Sequence, residues 1–316
     1  MAPEPRPSLI RTCALATGLT VNEVDRIAHL GPKRYKVYQI PKRSGGQRTI
    51  CHPSRELKAL QYVFLRDILR GLPVHEAATA YKAGTSIKAN AAAHLGSRVI
   101  LKLDFEAFFP SIKVADWVKY VGQSLPTWSP QDVEFSTYVM FWGEGGYTPK
   151  CLSIGAPTSP LLSNALLYQF DGVISHYAAA NGLVYTRYAD DITISTADHL
   201  DRDAVMAEIK SALDLIEFPR LHLNAAKTKL ASKSTSRRVT GLVLTNDGAL
   251  SLGHDRKRLI RAMVHHALTG RANIDDRSNL AGLLSFAADV EPAFVEALRR
   301  KYGVDAMESL QLRTKI

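Results

Sequence analysis

The chain has 316 residues, 46% of them hydrophobic and 22% charged, with a net charge of +10. That length and balance belong to a globular chain with room for two or three compact units, and they exclude a low-complexity or disordered polymer. The positive excess favours a polyanionic partner, most simply a nucleic acid. Three isolated cysteines, Cys13, Cys51 and Cys151, match no disulfide or zinc spacing and suit a reducing cytoplasm.

In chain order, the proline-rich start reads as a frayed end. The apolar patch around Cys13 is soon interrupted by Gly18, Asn22 and Asp25, too short for a membrane span or a secretory leader. Thr20-Val-Asn-Glu23 has the capping-box pattern and predicts a helix toward Leu30, ended by Gly31-Pro32. Tyr35 to Ile40 then reads as a strand, Ser44-Gly-Gly46 as a turn, and Arg48 to Cys51 as the return strand. The cations of this hairpin, Lys42, Arg43 and Arg48, are either a solvated face or a grip on a triphosphate. Leu57, Leu60, Phe64 and Ile68 form the stripe of a core helix running to Leu69. Asn90 and His94 stand four apart, so on a helix they share a face.

Ser97 to Asp104 is a β-prone run that ends in a carboxylate. Trp117 to Pro149 reads as helix plus loop. Gly155 and Pro157 shape a tight loop before a helix through Leu166, Phe170 and Ile174. Val184 to Ser195 alternates apolar and small polar residues about two adjacent acids, Asp190 and Asp191, which predicts a tight hairpin with both at its tip. Neighbouring carboxylates repel, and a divalent cation such as Mg²⁺ relieves them. An ordinary polar turn has the same local pattern. Asp104, at the end of a second strand, is the third carboxylate that makes a two-metal phosphoryl-transfer site possible. Asp203 to Phe218 is an amphipathic helix, and an Asn-Asp-Gly turn ending at Gly248 predicts a hairpin. From Asp255 the pattern is helical. Arg256, Lys257, Arg258 and Arg261 crowd that start, either as a solvated face or as a helix laid along a nucleic-acid backbone.

Tyr188-Ala-Asp-Asp191 and Leu103-Asp-Phe-Glu-Ala-Phe-Phe-Pro-Ser-Ile112 resemble motifs C and A of reverse transcriptases. Tyr35 to Ile50 is similar to their first block, Ile154 to Asn164 to motif B, and Leu221 to Lys229 to motif D. Asn90-Ala-Ala-Ala-His94 and Val239-Thr-Gly241 match elements of the retron branch, so the chain is identified as a member of the bacterial retron reverse transcriptases. The resemblance implies an α+β, right-hand polymerase architecture. N-terminal helices and fingers would cover 1–96. A palm with an antiparallel sheet would cover 97–235, with an insert near 117–150. A hairpin and helical thumb would cover 236–316.

The resemblance also implies RNA-directed DNA synthesis from dNTPs with two Mg²⁺ ions. Asp104, Asp190 and Asp191 would be the catalytic ligands, joined by the carbonyl of Phe105. Lys42, Arg48, Gly155 and Lys227 would meet the nucleotide. Phe109, or its neighbour Phe108, would exclude a 2′-hydroxyl by bulk. Ile154 replaces a glutamine common in the family, so an amide contact from that position is absent or supplied elsewhere. Asn90, His94, Val239, Thr240, Gly241, Arg256 and Arg258 would bind RNA.

For the retron branch the resemblance further implies a cognate structured non-coding RNA as template and primer. Its 2′-hydroxyl would start the DNA, giving a branched RNA–DNA molecule (msDNA). An anti-phage role with an accessory effector protein, template trimming by a host ribonuclease H, and a cytoplasmic, membrane-free location follow. The rivals are a group II intron or diversity-generating reverse transcriptase and a non-catalytic RNA-binding scaffold. On this length no maturase, endonuclease or ribonuclease H domain is expected after the thumb.

Overall fold

The computed structural model describes residues 8–41 and 45–311. Lys42 and Arg43, read above as candidate triphosphate contacts, lie outside them. Helix α1 (Leu9–Thr17) ends on Gly18 in the left-handed region, whose N–H donates to Ala14 O. The capping box of α2 (Val21–Leu30) is present: Thr20 N donates to Glu23 Oε2 at 2.8 Å and Glu23 N to Thr20 Oγ1 at 3.3 Å. Strands β1 (Tyr35–Pro41) and β2 (Gln47–Pro53) pair antiparallel, with Ile40 opposite Arg48. Helix α3 (Arg55–Val63) runs into a π-helical turn, Phe64–Ile68, where a single α-helix is expected.

There follow α4 (Ile87–Ala92), β3 (Val99–Asp104), α5 (Phe108–Ser111), α6 (Val114–Ser124) and α7 (Pro130–Met140). The helix expected after Pro157 is two, α8 (Ser159–Leu166) and α9 (Tyr168–Ala180), broken at Leu167. The acidic hairpin is β4 (Val184–Tyr188) and β5 (Asp191–Thr196). The chain continues through α10 (Arg202–Leu215), β6 (Lys229–Ser232), β7 (Arg238–Val239), β8 (Leu242–Leu244) and β9 (Leu250–Ser251). It ends in α11 (His254–Leu268), α12 (Ile274–Val290), α13 (Pro292–Tyr302) and α14 (Val304–Gln311).

Two compact units emerge, and neither is continuous in sequence. One holds the chain up to Gly84 with Lys102–Ile192 and Asp201–Thr228; the other holds Thr85–Leu101, Thr193–Leu200 and the chain from Lys229. Residues 85–96, expected with the fingers, therefore belong with the C-terminal unit. The reason is packing: α4 lies against β7, β8 and β9. Besides the β1–β2 pair, a four-stranded sheet has the order β4-β5-β3-β6, and β7-β8-β9 form a separate antiparallel sheet.

In the first unit α1, α2, α3 and α7 bury Cys13, Val24, Leu57, Leu60, Phe64 and Val139. Each such large apolar side chain contributes about 1.5–3 kcal/mol when fully buried. Gly31 is required between them, since a Cβ there would meet Tyr138 O at 2.6 Å. In the second unit Ala91, Ile100, Val239, Leu242, Val264 and Leu284 share one core. Among the described residues no helix is long and apolar enough to cross a membrane.

Candidate active site

Strand β3 lies beside β5 in the sheet, so Asp104 at its end comes next to the tip of the β4–β5 hairpin. The tip is Ala189-Asp190, and Ala189 is left-handed at φ +57. Phe105 N donates to Asp190 O at 3.2 Å, a backbone bond that ties the end of β3 to the acidic turn. From the other side, Asn224 N donates to Asp104 O at 2.7 Å and Glu106 N to His222 O at 2.8 Å. These bonds bring Lys227 into range, and its Nζ lies 2.6 Å from Asp104 Oδ1.

The electrostatics are those of crowded acids. Burial pushes the Asp191 carboxyl up to about 6; Lys102 pulls against it, while Asp190 and Asp104 push it further. Asp190 is raised too, first by burial and then by Asp104, with Lys227 and Arg48 opposing. Among the described residues no three His, Cys, Asp or Glu side chains are grouped tightly enough to enclose an ion as they stand, and Lys227 is on Asp104. The chemistry of the donor set nevertheless fits a hard divalent cation, because a double positive charge would offset the burial and the repulsion that raise two of these carboxyls.

The nucleotide candidates are placed unevenly. Phe108 is buried and stacks on Phe105, centroids 5.8 Å apart, whereas Phe109 is only partly buried. Between the two, Phe109 is the ring with a surface to offer a sugar. Arg48 is exposed on β2, and its charge opposes the upward shift of Asp190. Gly155 has φ +120, and a Cβ there would meet Cys51 O at 3.0 Å. Its close neighbour is thus β2, which Ile154 O also holds by accepting from Cys51 N at 2.8 Å.

A buried network at the acidic turn draws on Asn164 of motif B and otherwise on side chains outside the quoted motifs. The Arg187 guanidinium, fully buried in β4, donates to both carboxylate oxygens of Asp171 at 2.8 and 2.6 Å, to Asn164 Oδ1 at 3.1 Å and to Ala189 O at 3.0 Å. Tyr185 donates to Asp171 at 2.6 Å. Arg187 therefore clamps the carbonyl of the left-handed residue that carries the acidic turn. A lone charge inside an apolar alternation was the available signal, since a buried arginine needs a paired acid.

A family model described as reverse transcriptase (RNA-dependent DNA polymerase) matches residues 40–244, which include every acid of the site. Retron Ec83 reverse transcriptase of Escherichia coli is 38% identical over 282 residues, 88% of this chain and 89% of that protein. Retron Ec73 reverse transcriptase, also of Escherichia coli, is 32% identical over 321 residues, 98% of each chain. The chain belongs to the retron reverse transcriptases. A solved telomerase from Candida albicans, in complex with the TWJ fragment of telomeric RNA, aligns with TM-score 0.50 at 14% identity. That alignment covers 90% of this chain and 56% of the telomerase, and it shows a shared fold alone. The enzyme is an RNA-directed DNA polymerase of right-hand architecture, in a family that uses divalent metal ions.

In this reverse transcriptase the two retron elements meet inside the second unit, and most of their side chains face inward. Asn90 is 1% exposed and His94 and Val239 are fully buried. These three side chains, expected to touch RNA, are thus packed inside this unit. His94 Nδ1 is 2.7 Å from Ser195 Oγ on β5, and burial pushes its imidazole down to about 4, so it carries no charge for a phosphate at neutral pH. Val239 ends β7, and Thr240-Gly241 is the turn to β8 with φ +47 and +81, the positive pair of a type I′ hairpin. Thr240 Oγ1 donates to Ile87 O at 3.0 Å, joining that turn to α4. Arg256 lies 5.3 Å from the Phe286 ring, and Arg258 is an exposed cation 3.8 Å from Asp255.

Proposed function

We propose that the enzyme reverse-transcribes a cognate structured non-coding RNA, primes from a 2′-hydroxyl of that RNA, and releases a branched RNA–DNA molecule. Asp104, Asp190 and Asp191, with the carbonyl of Phe105, would hold two Mg²⁺ ions. When bound, such ions supply Lewis-acid activation of the attacking hydroxyl and charge neutralisation in the in-line displacement. The hydroxyl oxygen bonds to the α-phosphorus of a dNTP, the bond to the β-phosphate oxygen breaks, and pyrophosphate leaves. Arg48 and, by the same kinship, Lys42 grip the triphosphate. Phe109 fills the space a ribose 2′-hydroxyl would need. Lys227 gives charge or a proton to the leaving pyrophosphate.

The observation that carries this reading is the convergence of Asp104 with the Asp190–Asp191 turn in a chain of retron kinship. A cognate RNA, a host ribonuclease H that trims it, an accessory effector and a role in anti-phage defence in the cytoplasm follow from the same kinship. Exposed Arg258 and the Thr240-Gly241 turn remain the nearest candidates for RNA contact, whereas Asn90 and His94 act by shaping that turn's support. The test is to express the protein with its native locus and purify its nucleic acid. Single-stranded DNA joined to RNA through a 2′,5′ bond supports the proposal; only unbranched DNA primed from 3′-hydroxyls overturns it.

A further inference from the structure

Tyr81 is a bulky aromatic with a left-handed backbone, φ +62. That region is disfavoured for such a side chain and persists where the surroundings over-determine it. Here they do. Thr79 N and Oγ1 donate to Arg187 O at 2.8 and 3.1 Å, and Arg187 N donates to Ala77 O at 2.8 Å. Ala78 is thereby bridged in parallel to the strand that leads into the acidic turn. Asn164 Nδ2, from the motif B helix, then holds Ala80 O at 2.9 Å. Ala78 and Ala80 are buried, yet Tyr81 next to them is 55% exposed. Burial raises its phenol, Asp190 and Tyr188 add to that, and the Arg48 guanidinium opposes.

A rigid stretch of backbone, stitched to β4, thus ends in a strained residue whose ring is left exposed beside the strand that leads into the acidic turn. Left-handed backbone at a bulky aromatic costs free energy, and an exposed ring recovers little of it by burial. Both are what a ligand-contact residue shows. The groups around the ring narrow the ligand. Asp190 repels a bare phosphate and Arg48 attracts one, so the polyphosphate belongs on the arginine side. What an aromatic face offers is a stacking surface for a base, and every base has one, which suits an enzyme that must accept all four.

We propose that the Tyr81 ring is a nucleobase platform at the polymerising end, packing against a base of the template–primer duplex or of the incoming nucleotide. This rests on the polymerase site described above. The test uses the full chain with a DNA primer annealed to an RNA template and one dNTP at a time. Duplex Kd, dNTP KM and kcat are measured for the wild type and for Tyr81→Ala, Tyr81→Gly and Tyr81→Phe. Loss of one stacked base weakens binding roughly tenfold to a hundredfold. That loss is expected in Tyr81→Ala and Tyr81→Gly, with kcat changed less, and Tyr81→Phe recovers most of it.

A loss in duplex Kd assigns the base to the template–primer; a loss in dNTP KM assigns it to the incoming nucleotide. Tyr81→Gly relieves the backbone strain while removing the ring, so its melting temperature separates a lost contact from a damaged fold. Wild-type Kd and KM in Tyr81→Ala would overturn the proposal. So would equal damage in Tyr81→Phe, which would assign the role to the hydroxyl. Absence of extension by the wild type would be a failure of the polymerase reading instead.

Discussion

At Asp191 the chemistry of the site is in tension with the stability of the fold. Its carboxyl is raised by burial to about 6, so the folded protein binds a proton there that the unfolded chain releases nearer 4. Stability from this group is present below about pH 4 and is lost as pH rises through about 6. Asp191→Asn removes that cost. Thermal melts should therefore show the variant roughly 2–4 °C above the wild type at pH 8 and level with it near pH 4. An identical difference at both pH values would mean that the carboxyl is not strained by its neighbours. Phe109 and Phe108 offer a second contrast at this scale. Phe109→Ala should admit ribonucleotides with little loss of melting temperature, because its ring is only partly buried. Phe108→Ala should cost about 3–5 kcal/mol through a cavity beside Phe105, read from denaturant unfolding. Ribonucleotide entry in Phe108→Ala alone would move the gate by one residue.

Among the elements, the hairpin of β4 and β5 depends on a clamp beneath it. Arg187→Met leaves Asp171 buried without its cation, and breaking such a pair costs about 3–5 kcal/mol. It also frees the Ala189 carbonyl, so synthesis should fall further than the remaining folded fraction accounts for. Equal specific activity per folded molecule in Arg187→Met would show that the clamp holds the fold and not the acids. Helix α4 makes a parallel case in the second unit. His94→Ala removes a buried partner of Ser195 on β5 and should lower the melting temperature before it affects RNA affinity. Weaker RNA binding at unchanged melting temperature would restore a direct RNA contact.

Across the whole molecule, what the sequence revealed was what short-range periodicity encodes. Alternation marked β4 and β5, and the paired acids marked the turn between them. Thr20 and Glu23 marked the start of α2. The break at Leu167 and the π-turn at Phe64–Ile68 leave the apolar stripe intact, so periodicity passes over them. Asn90 and His94 read as a polar helix face because nothing local says that β5 and the β7–β8–β9 sheet will cover them. Val239-Thr-Gly241 was legible only as a tripeptide, although its Thr-Gly pair is a hairpin turn whose threonine is anchored to Ile87. The division into two units was equally hidden, since residues 85–101 and 193–200 join their partners from a distance in sequence.

The central claim is that Asp104, Asp190 and Asp191 form one polymerising centre. Its most direct test is extension of a DNA primer on an RNA template with Mg²⁺ and dNTPs, run beside an RNA-binding titration, for the wild type and Asp190→Asn. The wild type should extend the primer. Asp190→Asn should lose roughly a thousandfold or more in rate, as when an interaction made in the transition state is removed, while binding RNA within a few-fold of the wild type. Extension by Asp190→Asn at the wild-type rate would contradict the assignment.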